Sequence, residues 1–369
     1  MVGDAAVQAD YSREQIAEKG GTSLETLLVN PTRETSTPVM VKGTTAFIQD
    51  LIAKGNLDGV IALGGLQGTA LSTEVMRALP YGFPKIMVST VASGDTSPYV
   101  DIKDITMMFS VGDILGLNPF TRKILAKAAG AVFGMATVAD LHEEKNDKPV
   151  IGMSNLGVLT RGAMKAVEYF EDAGYEVIVF HAIGSGGRAM EQMIKEGIIG
   201  AVFDYALGEI ADDVFNVLRA GGPERLTVAG KHGLPQVICP GGAEHLGILV
   251  EPNKMPREYE NHQYVWHSPV VFVPRLNGDE LTTIARDIIQ RLKHTTGNAA
   301  FMIPTGGTSR YAKEGGVLYD PESDAVFFKE LKSGMPAGIE ISEVDTHAED
   351  PAFVRACVDR LIGLIEADG

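Results

Sequence analysis

Residues 58–69 read Asp58-Gly59-Val60-Ile61-Ala62-Leu63-Gly64-Gly65-Leu66-Gln67-Gly68-Thr69 and run on as Ala70-Leu71-Ser72-Thr73-Glu74-Val75-Met76-Arg77-Ala78-Leu79. Gly59 to Leu63 is a short, nearly continuous apolar run that stops at glycines, and Leu71, Val75 and Leu79 then recur at helical spacing. The stretch predicts a buried strand, a tight turn and a helix. Gly64, Gly65 and Gly68 let the backbone approach a ligand, and the unpaired amides that open the helix favour an anion. A phosphate cradle is expected here, against the plain alternative that any α/β chain must reverse after a strand. It is neither of the familiar cradles: Gly68 stands where a Walker A loop needs Lys, and GxGxxG is not matched.

Working outward, Pro84-Lys85-Ile86-Met87-Val88-Ser89-Thr90-Val91-Ala92-Ser93 is a second strand opening into a hydroxyl-rich loop. Ile105 to Ile114 is a third, passing through Gly112-Asp113. Where parallel strands all finish in small polar residues, the crevice at their carboxyl ends is the expected binding site. A long helix follows from Pro119, with proline suited to its first turn.

The residues from Gly64 to Asn118-Pro119-Phe120-Thr121-Arg122 resemble the ATP-binding domain family named after the tomato mosaic virus resistance protein. The resemblance extends from Ala9-Asp10-Tyr11-Ser12-Arg13-Glu14 to the end of the chain. It implies an α/β fold of two Rossmann-like domains, each a mainly parallel sheet flanked by helices, with ATP in the first and a homodimer as the assembly. On that resemblance the triphosphate rests on Gly64, Gly65, Leu66, Gln67, Gly68 and Thr69, with Ser89, Thr90, Ser93, Gly112, Asp113 and Asn118 lining the crevice. Magnesium is the expected accompanying ion. Family members usually open with a further strand, loop and helix that help hold the nucleotide, and this unit is expected to be missing here. With no P-loop Lys and no evident arginine finger to stabilise a transferring phosphoryl group, slow or no hydrolysis is expected.

The length of 369 residues favours two domains over one core. A hydrophobic share of 45% and a charged share of 22% are ordinary for a globular chain. The formal charge of −16, with no basic stripe, argues against nucleic acid as a partner. No apolar run is long enough for a membrane span and no signal peptide is evident, so a cytoplasmic location is expected. Cys239 and Cys357 lie in different apolar contexts and suggest neither a metal site nor a redox pair.

The polar run Glu143-Glu144-Lys145-Asn146-Asp147-Lys148 marks a boundary, giving domains 1–147 and 148–369. Before it, Ser12 to Lys19 reads as a weak helix, Glu25 to Asn30 as a strand edge or connector, and Thr44 to Lys54 as a helix. Beyond it, strands near Val150–Ser154, Glu176–His181, Ile198–Asp204, Gln236–Pro240, Ala299–Ile303 and Ile339–Val344 alternate with helices, so a mainly parallel sheet is expected. Pro252 to Pro269 reads as a long irregular excursion, of the kind that is usually functional.

Parallel strands bring their carboxyl ends to one rim. Here those ends carry Asn155, His181 with Gly184–Gly187, Asp204 with Glu209, Glu244-His245, Thr305–Ser309 and His347. His181, Glu244, His245 and His347 are the candidate catalytic residues for acid–base or metal work, although none stands at a recognised metal-ligand spacing. A lone histidine of this kind is more often the satisfied partner of a loop carbonyl. The turns at Gly184–Gly187 and Gly306–Ser309, beside Arg188 and Arg310, suit an anionic group. Three functional readings stay open: a nucleotide-binding protein, an enzyme acting on a small acidic metabolite in a cleft between the domains, and a protein-interaction module.

Overall fold

The computed structural model describes residues 7–138 and 147–368, and the chain divides into two compact units, Met1–Lys145 and Asn146–Gly369. The boundary residues Glu143 to Asn146 lie outside the described residues. The first unit opens with α1 (Arg13–Gly20), α2 (Leu24–Val29) and α3 (Arg33–Ala53). Ser12 and Gln15 form a reciprocal capping box that starts α1. The segment expected to be a strand edge or connector is the helix α2 instead: Ser23 caps it by accepting from the Thr26 amide, and Leu24 and Leu27 pack against Ala17. Helix α3 begins at Arg33 rather than Thr44, capped by Thr32, because its polar, Thr-rich first half carries no apolar periodicity.

The expected strand, turn and helix follow as β1 (Val60–Gly64) and α4 (Leu66–Arg77), but the strand is not buried as expected: it lies at an edge of its sheet, and Ile61 and Leu63 are exposed. Then come β2 (Lys85–Ser89), α5 (Ser97–Val100), β3 (Thr106–Phe109) and α6 (Pro119–Val138). The strands form a parallel sheet in the order β1-β2-β3, with Gly64 opposite Ser89 and Ser89 opposite Phe109. Every residue of the central strand β2 is buried. That includes Lys85, whose ammonium is held by the carbonyls of Pro80 and Phe83, each at 2.7 Å, and by Asp104 at 2.9 Å.

The second unit has the main strands β4 (Ile151–Asn155), β5 (Val177–His181), β6 (Ala201–Ala206), β7 (Gln236–Gly241), β11 (Ala299–Pro304) and β12 (Ile339–Val344). They form one parallel sheet in the order β12-β11-β7-β6-β4-β5. Between them run α7 (Thr160–Asp172), α8 (Ser185–Lys195), α9 (Gly208–Val214), α10 (Val228–Lys231), α11 (Gly278–Leu292) and α12 (Pro321–Gly334), and α13 (Pro351–Asp368) closes the chain. The alternation of side chains along a strand sorts residues onto two cores. Ala300 and Met302 of β11 join Phe170 and Phe353, whereas Ala299, Phe301 and Ile303 join Ile284 and Phe327. A fold of two α/β units with parallel sheets flanked by helices is what the strand–helix alternation predicts.

Two expectations need correction. The excursion from Pro252 to Pro269 is not simply irregular: β8 (Ile248–Leu249), β9 (Tyr264–Ser268) and β10 (Val271–Pro274) form an antiparallel sheet in the order β8-β10-β9. Trp266 and Tyr264 pack their rings on Phe272, a cross-strand arrangement the proline-flanked sequence concealed. Cys239 and Cys357 share one environment rather than two. Their sulfurs stand 3.7 Å apart in the core as free thiols, because α13 lies across β7. Among the described residues no helix is long and apolar enough to cross a membrane.

Candidate functional site

In the sheet of the second unit, β4 has β5 on one side and β6 on the other, so the chain reverses its direction of winding there. In such sheets, ligands bind beyond the carboxyl ends of the strands at that switch point. A cavity of about 380 Å³ lies there, walled by Leu156, Val158 and His181 after β4 and β5 and by His245 after β7. Val271 and Val273 of β10 and His267 of β9 add a wall from the antiparallel ribbon, and Arg310 and Tyr311 add one from the loop after β11. Most of this lining is apolar.

His245 is nearly buried, and its Nδ1 stands 2.9 Å from Glu244 Oε1. Glu244 is held in turn: the Thr308 hydroxyl donates to Oε2 at 2.8 Å, and the Ser309 hydroxyl donates to Oε1. Burial alone would raise the Glu244 carboxyl. The charge and hydrogen bond of His245, the charge of Arg275 and the Ser309 hydroxyl outweigh it and hold the group at about 2. Arg219, which also lines the cavity, is engaged by Asp212 through Nε at 2.8 Å and Nη2 at 2.7 Å, and it donates to the His245 carbonyl at 3.0 Å. The strand end at Glu244-His245 thus carries a rigid carboxylate–imidazole pair on the cavity wall.

The glycine turn at Gly184–Gly187 does hold an anion, and the anion belongs to the protein. Glu209 Oε1 accepts from the amides of Gly184 at 2.6 Å and Gly187 at 3.0 Å at the start of α8. Arg225 Nε donates to the other oxygen of Glu209 at 2.7 Å, and Arg225 also binds Asp204 through both terminal nitrogens. Ser154 donates to Asp204 at 2.6 Å. Glu191 completes the cluster, and burial, opposed by Arg225 and reinforced by Asp204, pushes it up to about 7. Asp204 and Glu209 are therefore braces beneath the rim rather than ligands. Arg225, which fixes both, was invisible in the sequence because it stands in a loop with no periodic pattern.

The remaining rim candidates separate. His181 borders the switch-point cavity, with Nδ1 3.3 Å from the Asn155 carbonyl. His347 lines a different cavity, and burial together with the nearby Lys313 charge lowers its pKa. Among the described residues no three His, Cys, Asp or Glu side chains gather as a metal would require.

In the first unit, Gly64 is needed for packing: a Cβ there would stand 2.7 Å from the Gly68 Cα. Gly65 is the N-cap of α4 and supplies no side-chain cap, so the amides of Leu66, Gln67 and Gly68 that open the helix after β1 have no capping side chain. Thr69 and Ser89, expected to touch phosphate, are both fully buried and their hydroxyls bond to one another at 2.7 Å. Asn118 is the cap of α6, accepting from the amides of Phe120 and Thr121. Ser110 ties down the Gly112 turn through the Gly112 carbonyl, and Asp113 bonds the Ile114 amide. Thr90 stays beside the cradle, its hydroxyl 3.6 Å from a Cβ position on Gly65, while Ser93 is exposed in the next loop. Of the twelve proposed nucleotide contacts, those with side chains already committed are structural here.

Known proteins resemble this chain along nearly all of its length. A UPF0261 protein of Clostridium tetani is 38% identical over 368 residues, covering 99% of this chain and 90% of the relative. A UPF0261 protein of Rhizobium meliloti is 36% identical over 354 residues, covering 95% and 87% respectively. The ToMV resistance protein Tm-1(GCR237) of Solanum lycopersicum is 31% identical over 330 residues, which is 88% of this chain and 44% of that protein. With its N-terminal domain matched over residues 1–141 and its C-terminal domain over residues 148–365, the chain belongs to the uncharacterised protein family UPF0261.

Proposed function

We propose that the second unit is an acid–base enzyme module that binds a small acid with an apolar body in the switch-point cavity. His245 moves a proton on that ligand, and Glu244 orients the imidazole. The observation that carries this reading is the 2.9 Å Glu244–His245 pair, with its carboxylate locked by Thr308 and Ser309, on the wall of a cavity of about 380 Å³. Leu156, Val158, Val271 and Val273 suit the apolar body. Arg310 suits the acid group: it donates to the Gly157 carbonyl and makes no ion pair among the described residues, whereas Arg219 is committed to Asp212.

Phenylpyruvate is a suitable probe, an apolar acid whose methylene protons beside the carbonyl exchange with solvent. Proton NMR in D2O should show the protein accelerating that exchange. His245→Asn and Glu244→Gln should remove the acceleration while calorimetry still detects binding, and Arg310→Gln should weaken binding. Undiminished exchange in folded H245N, or no binding at all, would sink the reading.

A second reading places a nucleotide on the first unit, supported by the uncapped amides of Leu66, Gln67 and Gly68 at the carboxyl end of β1. ATP with magnesium is the ligand this reading predicts, held by backbone rather than by Thr69 or Ser89. A rise in melting temperature with ATP and magnesium that disappears in Gly68→Val supports it. A chain indifferent to ATP rejects it.

A further inference from the structure

The switch-point cavity carries a second imidazole besides that of His245. His181 closes β5, and its Nδ1 lies 3.3 Å from the Asn155 carbonyl, so the ring leans on the end of β4. His245 leans on the end of β7, where a Cβ on Gly242 would stand 3.8 Å from its Cε1. In the sheet order only β6 separates β4 from β7, so the backbone beneath the two rings is two strand spacings apart, roughly 10 Å. A small planar ligand fits between rings spaced in this way.

Both rings are oriented alike. The Asn155 carbonyl and the Glu244 carboxylate can only accept, so each Nδ1 carries a hydrogen and each Nε2 is left for a ligand. Neither Nε2 has a hydrogen-bond partner among the described residues, and that of the nearly buried His245 is not sealed from solvent. Arg310, tied to the carbonyls of Gly157 and Val158 just after β4, borders the same cavity. A 2-oxo acid anchored there by its carboxylate presents two proton sites that diverge from C2, the oxo oxygen and the C3 carbon. Two separately placed ring nitrogens match them, whereas an acid without the carbonyl offers the second ring nothing to protonate.

We propose that His181 is a second catalytic residue of this site and that the substrates are 2-oxo acids bearing hydrogen on C3, converted to their enols; the proposal rests on the reading of His245 as the residue that moves a proton. His245 Nε2 takes the C3 proton, the C–H electron pair becomes the C2–C3 double bond, and the former carbonyl π pair takes a proton from the His181 imidazolium. Substrate and product are isomers. Solvent then reprotonates His181, which is exposed, and accepts the proton from His245.

The probe is phenylpyruvate, with two readouts on the intact chain: loss of the C3 protons in D2O by NMR, and release of the enol, trapped by borate and followed by its ultraviolet absorption. His181→Asn should slow both by on the order of a hundredfold while calorimetry still detects binding. Added imidazole should restore part of the rate, since removing an exposed ring leaves a gap that a soluble one can fill. His181→Gln replaces H181N should the latter not fold, folding being judged by a melting temperature within about 2 °C of the parent. Exchange and enol release in folded H181N equal to the parent's overturn the proposal and leave the His245 reading intact. A loss that imidazole does not rescue, accompanied by loss of binding, marks a structural role for His181 and overturns it as well. No exchange in the parent sinks both.

Discussion

A Cβ added to Gly187 would stand 1.9 Å from Glu209 Oε2, inside the carboxylate that closes the start of α8. The glycine is therefore required by the neighbour it touches, and that neighbour is one end of a buried ion pair with Arg225. Gly187→Ala should push Glu209 off Arg225 and the two amides. A loss on the order of 3 kcal/mol or more is expected, since breaking a buried pair leaves an uncompensated charge. Urea unfolding of the variant against the parent measures it, and a loss below about 1 kcal/mol would show that the carboxylate moves aside freely.

The Glu244 carboxyl drops from an ordinary 4.5 to about 2 in the folded protein. A depressed folded value means that its contribution is present above the unfolded value and is lost as pH falls through the folded one. Stability should therefore decline between about pH 4.5 and pH 2 through this group, by an amount on the order of 3 kcal/mol at ~1.4 kcal/mol per pH unit. Glu244→Gln should flatten that part of the curve. Equal acid slopes in parent and variant would contradict the His245 and Ser309 contacts as its cause.

Glu191 behaves in the opposite sense. Burial pushes its carboxyl up to about 7 despite Arg225, with Asp204 adding repulsion. A raised folded value means that the contribution is full below the unfolded value and is lost as pH rises through the folded one. The parent should lose stability between about pH 4.5 and pH 7 through this group, and Glu191→Gln, shaped like the protonated acid, should not. Unfolding midpoints at pH 5 and pH 8 compare the two.

Cys239 and Cys357 are fully buried, and burial raises the Cys239 thiol well above its ordinary value. Since the thiolate is the reactive form, neither sulfur should react with a thiol reagent in the native protein, and both should react after unfolding in guanidinium. Rapid native modification would mean that α13 opens from β7.

Gly64 and Gly68 should respond differently to a side chain. At Gly64 a Cβ meets the Gly68 Cα at 2.7 Å, whereas at Gly68 the nearest atom is the Leu63 carbonyl oxygen at 3.6 Å, an ordinary contact. Gly64→Ala should destabilise the first unit by about 1–3 kcal/mol as an overpacked site does, and Gly68→Ala should cost little. Thermal unfolding of the two variants settles whether the turn is shaped by packing at the first position and left open at the second.

Much of the architecture was legible because burial writes itself into composition. Ile86-Met87-Val88 and Val237-Ile238-Cys239 are apolar on both sides because helices cover both faces of a parallel sheet, and the residues after each run are strand ends wherever the sheet closes. That is why His181, Glu244 and His245 could be placed on one rim from order alone. Helix α2, the first half of α3 and the β8-β10-β9 ribbon escaped, since each takes its shape from caps and cross-strand packing rather than from a periodic apolar pattern.

Order along the chain established the α/β class, the alternation of elements and the short list of polar residues at strand ends, all properties of local period and neighbouring type. Folding in three dimensions chose among those residues. It set Glu209 into the glycine turn that looked vacant, turned Thr69 toward Ser89, sent His347 to a separate cavity and left His245 with Glu244 on the wall of the switch-point cavity. Such choices depend on contacts between residues far apart in sequence, such as Glu244 with Ser309 or Arg225 with Asp204, and no local pattern encodes which distant partner will satisfy a buried charge.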